Sequence, residues 1–399
     1  MNSTKVSKRL VFISSRFPYP IEKGDKLRAY YQLKDLSKDW EIHLISLSDR
    51  HVEEKDLAAI KPFCKEMHVL RISKWLGYLR VFFGLFGSRP LQTYYFTTLL
   101  HKIKVNRILK NTKPDHIFAQ LIRTTEYVKN YHNCPKTLDY MDALSAGVQM
   151  RISLSPLIVR WLFTLEWRRL RHYENVIFEY FEKHIIIASQ DREQLIHPKR
   201  HSIHVFPNGV NESFLNYNAS EQIKIFDLCF VGNLSYQPNI EAVKYLVNDI
   251  LPALEKRGKK LSVLISGANP TSAVKQFQNK VTLTGWVDDI RSSYTQSKIF
   301  VAPMFIGTGL QNKLLEAMAL GLPCITTPLA HKALGCDSDT VSIAKNADEF
   351  ADEIIRLLEN ENNQHQALRA RAFIAQNFNW TIINASLSET MSIRNVFQK

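Results

Sequence analysis

The chain has 399 residues, 45% of them hydrophobic and 23% charged. That is enough for two ordinary globular domains, each with its own core, and it excludes a disordered, fibrous or solenoid protein. A formal charge of +14 attracts anions of every kind, from nucleic acid to membrane surface to small phosphates, without choosing among them.

In chain order, "MNSTKVSKRLVFISSRF" places positive charge before an apolar run that Ser14, Ser15 and Arg16 interrupt. The run is too short for a signal peptide or a spanning helix, and no window holds the roughly eighteen uncharged apolar residues that a transmembrane helix needs. The expectation is a cytoplasmic protein, soluble or lying on a membrane. Strand-like runs follow: "RLVFISS", "EIHLISLS", "MHVLRI", "DHIFAQ", "KTLDYMD", "HIIIAS" and "SIHVFP". They are short, rich in Ile and Val, and too apolar to be half exposed, which suits a parallel sheet covered on both faces. Helical patterns such as "GDKLRAYYQLKDLSK" lie between them.

A strong turn signal in "HVFPNGVNESF" closes this first array. The second repeats the plan: "FDLCFVG", a helix over 239–256, "LSVLISG", a helix near 271–278, then "VTLTG", "KIFVAP" and "PCITT". Two successive βα arrays predict an α/β protein of two doubly wound Rossmann-like domains facing a central cleft, where ligands of such folds bind. The domains are placed at 1–206 and 207–378, with a helix over 379–399 crossing back to the first. The five cysteines, at 64, 134, 229, 324 and 336, form no C-x-x-C pair. They suggest reduced thiols and no zinc site.

One stretch asks for more than packing. "GTGLQNKLLEAMALGLPCITT" runs from Gly307 to Thr327. Glycines at Gly307 and Gly309, with Thr308 between, let backbone N–H groups approach a ligand, and the helix that follows has a positive dipole end. At about 100° per residue, Asn312, Lys313 and Glu316 share one arc, while Leu310, Leu314, Leu315 and Met318 take the core side. Such a loop can hold phosphate, Lys313 can add charge, and Glu316 can accept hydrogen bonds from a ribose diol. A solvated helix face with a Lys–Glu pair, worth a few tenths of a kcal/mol, explains the same arc.

These residues resemble the donor-binding signature of retaining, nucleotide-sugar-dependent glycosyltransferases of family 4, whose fold is called GT-B. "VFPNGVNESF", "FVGNLSYQPNIEA", "FPYPIEKGDKLRAYYQL" and "LTGWVDDI" resemble further segments of that family in the same order. The resemblance covers nearly the whole chain and is closest to the branch used in bacterial exopolysaccharide and capsule assembly. It implies that Glu316 binds the ribose hydroxyls and that Lys313 lies near the diphosphate. Gly309, Leu310 and Gln311 would offer backbone groups to the donor sugar. Thr308 stands where the family's first Glu would be, and Asn233, after Gly232, where many members carry an Arg. Gly24 matches the N-terminal glycine loop beside the donor phosphates, followed by Asp25 and Lys26. Met141 stands where many members carry a His, so Asp142 and Asp139 are candidate polar groups at the cleft. Either can equally be an N-cap or part of a solvated turn. Gln120 and Arg123 point the same way by position, and Arg123 can touch phosphate or simply begin a helix.

The resemblance further implies sugar transfer with retention, without metal or cofactor, from a nucleotide-sugar donor substrate to a glycan or lipid-linked acceptor. Asp288 and Asp289 lie in a turn and are expected to cap a helix rather than bind metal. Two basic, aromatic-rich stretches, 74–96 and 151–175, read either as interfacial segments on an anionic inner membrane or as core helices with solvated basic faces. Three competing functions are an epimerase or phosphorylase on the same fold, a non-catalytic nucleotide-sugar-binding relative, and a nucleic-acid-binding protein. The last lacks every recognisable motif, and no nucleic acid partner is expected.

Overall fold

Strands that are apolar on both faces can be buried only inside a parallel sheet layered between helices, and both halves of the chain adopt that arrangement. The computed structural model describes residues 8–218, 222–306, 310–359 and 363–393. It divides into two units, Met1–Pro207 with Trp380–Lys399, and Asn208–Asn379.

The first unit holds seven parallel strands: β1 (Lys8–Ser14), β2 (Trp40–Ser48), β3 (Glu66–Arg71), β4 (His116–Gln120), β5 (Lys136–Asp139), β6 (Lys183–Ile186) and β7 (His204–Val205). Their order across the sheet is β3-β2-β1-β4-β5-β6-β7. In register, Leu10 faces Ile42 on one side and His116 on the other. The period-two alternation of β1 splits its side chains between two layers. Leu10 and Phe12 join Ala29 and Leu33 of helix Gly24–Leu36 and Leu387 and Met391 of helix Trp380–Ser392. Val11 and Ile13 join Leu109 of helix Leu99–Thr112 and Leu170 of helix Leu157–Phe178.

Helix Trp380–Ser392 is fixed by more than apolar area. The Trp380 ring stacks on Tyr31 with centroids 5.1 Å apart. Asn384 Nδ2 donates to the Tyr31 carbonyl at 3.0 Å and to Asp35 Oδ2 at 2.9 Å, and Trp40 Nε1 donates to Ser388 Oγ at 3.1 Å.

Arg28 is the centre of a buried polar knot. Its Nε donates to Asp139 Oδ2 at 2.6 Å, and Nη1 to the Phe206 carbonyl at 2.9 Å. Gln32 Nε2 reaches the same Asp139 oxygen at 3.2 Å. Helix Gly24–Leu36, the end of β5 and the chain leaving β7 are thereby tied together. Asp139 is thus spent on the scaffold. The strand "KTLDYMD" stops at Asp139, because Met141 turns into the left-handed region with φ of 64°.

The second unit holds six parallel strands: β8 (Phe226–Val231), β9 (Val263–Ser266), β10 (Thr282–Gly285), β11 (Ser297–Ala302), β12 (Cys324–Thr326) and β13 (Ser342–Ile343). Their order is β10-β9-β8-β11-β12-β13. At two residues, β13 is too short to show a period in sequence. The helix expected over 239–256 starts at Gln237 and reaches Lys256, with a π-turn at Leu246–Ile250. That wide turn precedes Pro252, which has no N–H to close an ordinary rung. Cys229 and Cys324 are buried free thiols in β8 and β12. Among the described residues no helix is long and apolar enough to cross a membrane.

Replacing Arg28 by Ala strands the Asp139 carboxylate in the core. Loss of one partner from a buried pair costs about 3–5 kcal/mol. Urea unfolding of Arg28→Ala is expected to show a loss of that size, far above that of an exposed control such as Lys55→Ala.

Candidate functional site

A doubly wound sheet opens a crevice where neighbouring strands send their crossovers to opposite faces. In the second unit that point lies between β8 and β11. Chain leaving β8 forms Gly232 and Asn233, and chain leaving β11 leads to helix Asn312–Ala319.

Three adjacent strands end in glycine here, and two of the glycines are required by close approach. A Cβ on Gly267, where φ is +146°, would sit 1.8 Å from the Gly232 carbonyl oxygen. One on Gly232 would lie 2.7 Å from Asn239 Nδ2 and 3.2 Å from Lys313 Cε. Removing the side chain at 232 therefore makes room for two others to meet. Asn239, buried at the start of helix Gln237–Tyr245, donates from Nδ2 to the Asn233 carbonyl at 2.8 Å. Its Oδ1 accepts from Lys313 Nζ, also at 2.8 Å. Gln311 Oε1 accepts from the same ammonium at 3.0 Å, and the Phe230 ring lies 5.7 Å from it. Asn233 turns its own Oδ1 back onto the Ser235 N–H at 3.0 Å and hydroxyl at 2.8 Å.

One turn along, Glu316 Oε2 accepts a hydrogen bond of 2.8 Å from the hydroxyl of the fully buried Tyr294. Desolvation pushes Lys313 down to about 8, with Glu316 pulling the other way. Desolvation pushes Glu316 up to about 7, against the Tyr294 hydrogen bond and the Lys313 charge. Each group is drawn toward its neutral form by burial, so an arriving ligand of the right charge finds a site that is easily recharged.

Asn312 has a different task. Its Oδ1 accepts from Asn208 Nδ2 at 3.3 Å, which ties the Pro-Asn-Gly turn to the helix start. Leu310 packs on the core of this unit. Gly307, Thr308 and Gly309 lie outside the described residues. Asp289 caps helix Ile290–Thr295 through the Arg291 N–H at 3.0 Å, and both its oxygens meet the Arg291 guanidinium at 2.8 Å.

The first unit assembles a second group at the carboxyl ends of β1, β4 and β5. Gly24 opens its helix, and a Cβ there would meet nothing within 4 Å. Asp25 pairs with Arg16 at 2.5 Å, and its carbonyl accepts from the buried Gln120 amide at 2.9 Å. Lys26 Nζ donates to the Tyr19 carbonyl at 3.4 Å. Arg123 donates to Gln92 Oε1 at 2.7 Å and lies over the Phe96 ring. Asp142 Oδ1 is buried with no hydrogen-bond partner among the described residues. Burial raises this carboxyl to about 6, with Arg123 opposing and Asp25 and Asp139 adding to the rise. Leu121 and Met141, at the ends of neighbouring strands, both hold φ of 64°. Such non-glycine strain costs on the order of 1–3 kcal/mol and clusters at functional sites.

The site residues proposed from sequence thus fall into two groups. Gly232, Asn233, Gln311 and Lys313 share one cluster, with Glu316 beside it. Gly24, Asp25, Gln120, Arg123 and Asp142 form the other. Sequence reading missed Asn239 and Tyr294. In sequence Asn239 sits among Gln237, Pro238 and Glu241 like any polar residue of a helix start, and nothing marked Tyr294 either. No glycine announced the turned backbone at Leu121 and Met141.

Comparison with known proteins adds independent findings. Residues 225–360, which lie within the second unit, match the family model described as Glycosyl transferases group 1. A glycosyltransferase from Rickettsia africae superposes with a TM-score of 0.67 at 13% identity, covering 97% of this chain and 98% of that one. Anabaena Alr3699/HepE, solved with UDP and glucose, gives 0.67 at 13% identity over 96% and 99%. At such identity these structures establish the shared fold. A Klebsiella pneumoniae protein described as an uncharacterized 44.6 kDa protein in the cps region is 22% identical over 395 residues, 93% of this chain and 96% of that one. The chain thus has the GT-B fold, and a glycosyltransferase group 1 match lies within its second unit.

Tyr294→Phe removes the donor that steadies the Glu316 carboxylate, so the Glu316 midpoint should rise further above about 7. Carboxyl carbon shifts followed through a pH titration by NMR measure this. An unchanged midpoint would mean that the hydroxyl does not hold the carboxylate in solution.

Proposed function

We propose that the protein is a retaining, metal- and cofactor-independent glycosyltransferase using a nucleotide-diphosphate sugar. The acceptor is a glycan or lipid-linked saccharide in surface-polysaccharide synthesis, met on the cytoplasmic face of the plasma membrane. The observation that carries this reading is the meeting of Lys313, Asn239 and the bare backbone of Gly232 at the mouth of β8 and β11, with Glu316 beside them. The Anabaena neighbour was solved with UDP and glucose, and the Klebsiella relative is described from a cps region; both support it.

In this reading the pyrophosphate takes the Gly232 main chain and the N-terminus of helix Asn312–Ala319, where the Asn312 and Lys313 N–H groups precede the first intrahelical bonds, those of Leu314 and Leu315 to the Gln311 carbonyl. Lys313 leaves Asn239 and Gln311 for the phosphate, which restores its full charge. Glu316, aimed by Tyr294, accepts from the ribose hydroxyls. The C1–O bond to the phosphate breaks, and charge builds on the leaving oxygen where Lys313 and the helix dipole stabilise it. A new C1–O bond forms to the acceptor on the same face, and the acceptor proton passes to the leaving phosphate. Asp142 is assigned to the polar lining of the first unit. With Asp289 occupied by Arg291, no paired-aspartate metal cradle is invoked.

Lys313→Ala is expected to lower kcat by about a hundredfold or more, as for loss of one transition-state donor. Glu316→Ala should weaken nucleoside diphosphate binding by about tenfold or more, as for a charge-assisted hydrogen bond. Calorimetry with UDP and GDP, turnover on a donor-sugar panel and thermal unfolding check both. Two folded variants with wild-type values would end the assignment, and a sugar epimerised without acceptor would replace transfer by isomerisation.

Binding should also be bell-shaped in pH. Lys313 is charged below about 8 and Glu316 ionised above about 7, so diphosphate affinity falls above the first value and ribose anchoring below the second. Calorimetry from about pH 6 to about pH 9 should give an optimum between them, and Lys313→Ala should lose the alkaline limb.

A further inference from the structure

Helix Lys74–Gly84 in the first unit is turned inside out. Gly77 and Gly84 lie two turns apart on its inner face, where a Cβ would come 2.6 Å from the Tyr95 ring and 2.7 Å from the Tyr94 ring. The smooth side therefore packs on helix Leu91–Phe96, and the large apolar residues point outward. Trp75 is 75% exposed and Phe86, just beyond the helix, 85%, with Tyr78, Leu79, Phe82 and Phe83 exposed between them. Leu99, Leu100 and Ile103 on helix Leu99–Thr112, and Ile158, at 81%, and Trp161 on helix Leu157–Phe178, are exposed as well. Soluble proteins rarely leave so many large apolar side chains uncovered together.

The helices are clamped from within. Arg80 Nη2 donates to the Tyr95 carbonyl at 2.9 Å, and Arg169 to the carbonyls of Gly84 and Leu85 at 2.8 and 2.7 Å. The Leu91 N–H donates to Glu166 Oε2 at 2.6 Å. The exposed face is thus a fixed feature of the fold.

Its charge is one-sided. Between Glu66 and Asp115 there is no acidic residue and there are nine Lys and Arg. No acidic residue lies between Asp142 and Glu166 either, and Glu166 is turned inward onto Leu91. Lys104, Arg107 and Lys110 are exposed on the helix that carries Leu99 and Ile103. Arg89 and Lys102 pair with the buried Glu126, and a second copy meeting this face through a two-fold axis would set the same basic surfaces, with Lys104, Arg107 and Lys110 exposed, against each other. A bilayer with anionic headgroups offers the opposite charge, and its acyl boundary takes protruding Trp, Phe and Leu without needing a matching shape.

We propose, resting on the reading of the acceptor as lipid-linked, that this face is the membrane-docking surface, with Trp75, Phe82, Phe83 and Phe86 entering the headgroup boundary and the basic residues contacting anionic lipid.

Flotation of the full chain with phosphatidylglycerol–phosphatidylethanolamine vesicles, compared with phosphatidylcholine vesicles, tests this. The wild type should float with the anionic vesicles only, lose binding as salt rises, and shift its tryptophan emission to the blue. Lys104→Glu with Arg107→Glu should lower partitioning by about tenfold or more. A Phe82→Ser, Phe83→Ser, Phe86→Ser triple, at positions already in water, should do likewise. Both variants should keep the wild-type thermal shift with UDP or GDP, which shows that they fold. Equal binding to both vesicle types, or a folded triple variant that binds as well as wild type, would overturn the proposal. So would a dimer in sedimentation velocity that the triple substitution dissolves in a protein with no vesicle binding. Vesicle binding in a protein that ignores every nucleoside diphosphate would strike down the donor reading and leave the docking face standing.

Discussion

Parallel strands cannot be joined by a tight turn; each needs a crossover that returns over one face of the sheet. In both units the crossovers leave in opposite directions from one central pair, β1 with β4 and β8 with β11. The chain must therefore part above those pairs, and side chains at their carboxyl ends are the ones left facing a crevice. Gly232, Asn233 and Lys313 stand at one such opening and Asp25, Gln120 and Arg123 at the other because the topology leaves them nowhere else. Chemistry is concentrated at these two places by the sheet, before any particular residue is considered.

What distinguishes the two openings is how each handles buried charge. In the first unit the Arg28–Asp139 pair is sealed, and it ties the end of β5 to the exit of β7. Such a pair serves position rather than reaction, since a desolvated ion pair adds little net stability yet is costly to break. In the second unit, among the described residues, the hydrogen-bond partners of Lys313, among them Asn239 and Gln311, are neutral, and Glu316 rests on a neutral phenol. Neutral partners leave unmet demand for charge, which the anionic and hydroxylated donor proposed above would supply. Asp142, with one oxygen unpartnered among the described residues, is the nearest equivalent in the first unit.

The exposed aromatic helix follows the same logic in reverse. Glycines on its inner side bring two backbones close, and the price is that its large apolar side chains Trp75, Leu79, Phe82 and Phe83 face out. A helix that buried its Phe and Trp residues would be more stable in water. Retaining the opposite arrangement makes sense where the outer medium is not water, and the missing acidic residues over the same stretch agree with an anionic boundary.

The apolar strand runs and their spacing with helical segments determined the layered parallel architecture by themselves, because residues apolar on both faces have no other place to be buried. The lone turn signal at Pro207–Asn208–Gly209 and the arc of Asn312, Lys313 and Glu316 were likewise legible, since turn chemistry and helical period are local properties. Partnership was not. That Asp139 belongs to Arg28, 111 residues away, that Asn239 holds Lys313, and that Tyr294 aims Glu316 are meetings between distant segments, set by the order of strands. The sign of the amphipathic stretch at 74–96 was equally undecided in one dimension. Aromatic residues at helical spacing fit a core or an interface alike, and only the packing of Gly77 and Gly84 on two tyrosine rings decided which side of that helix faces outward.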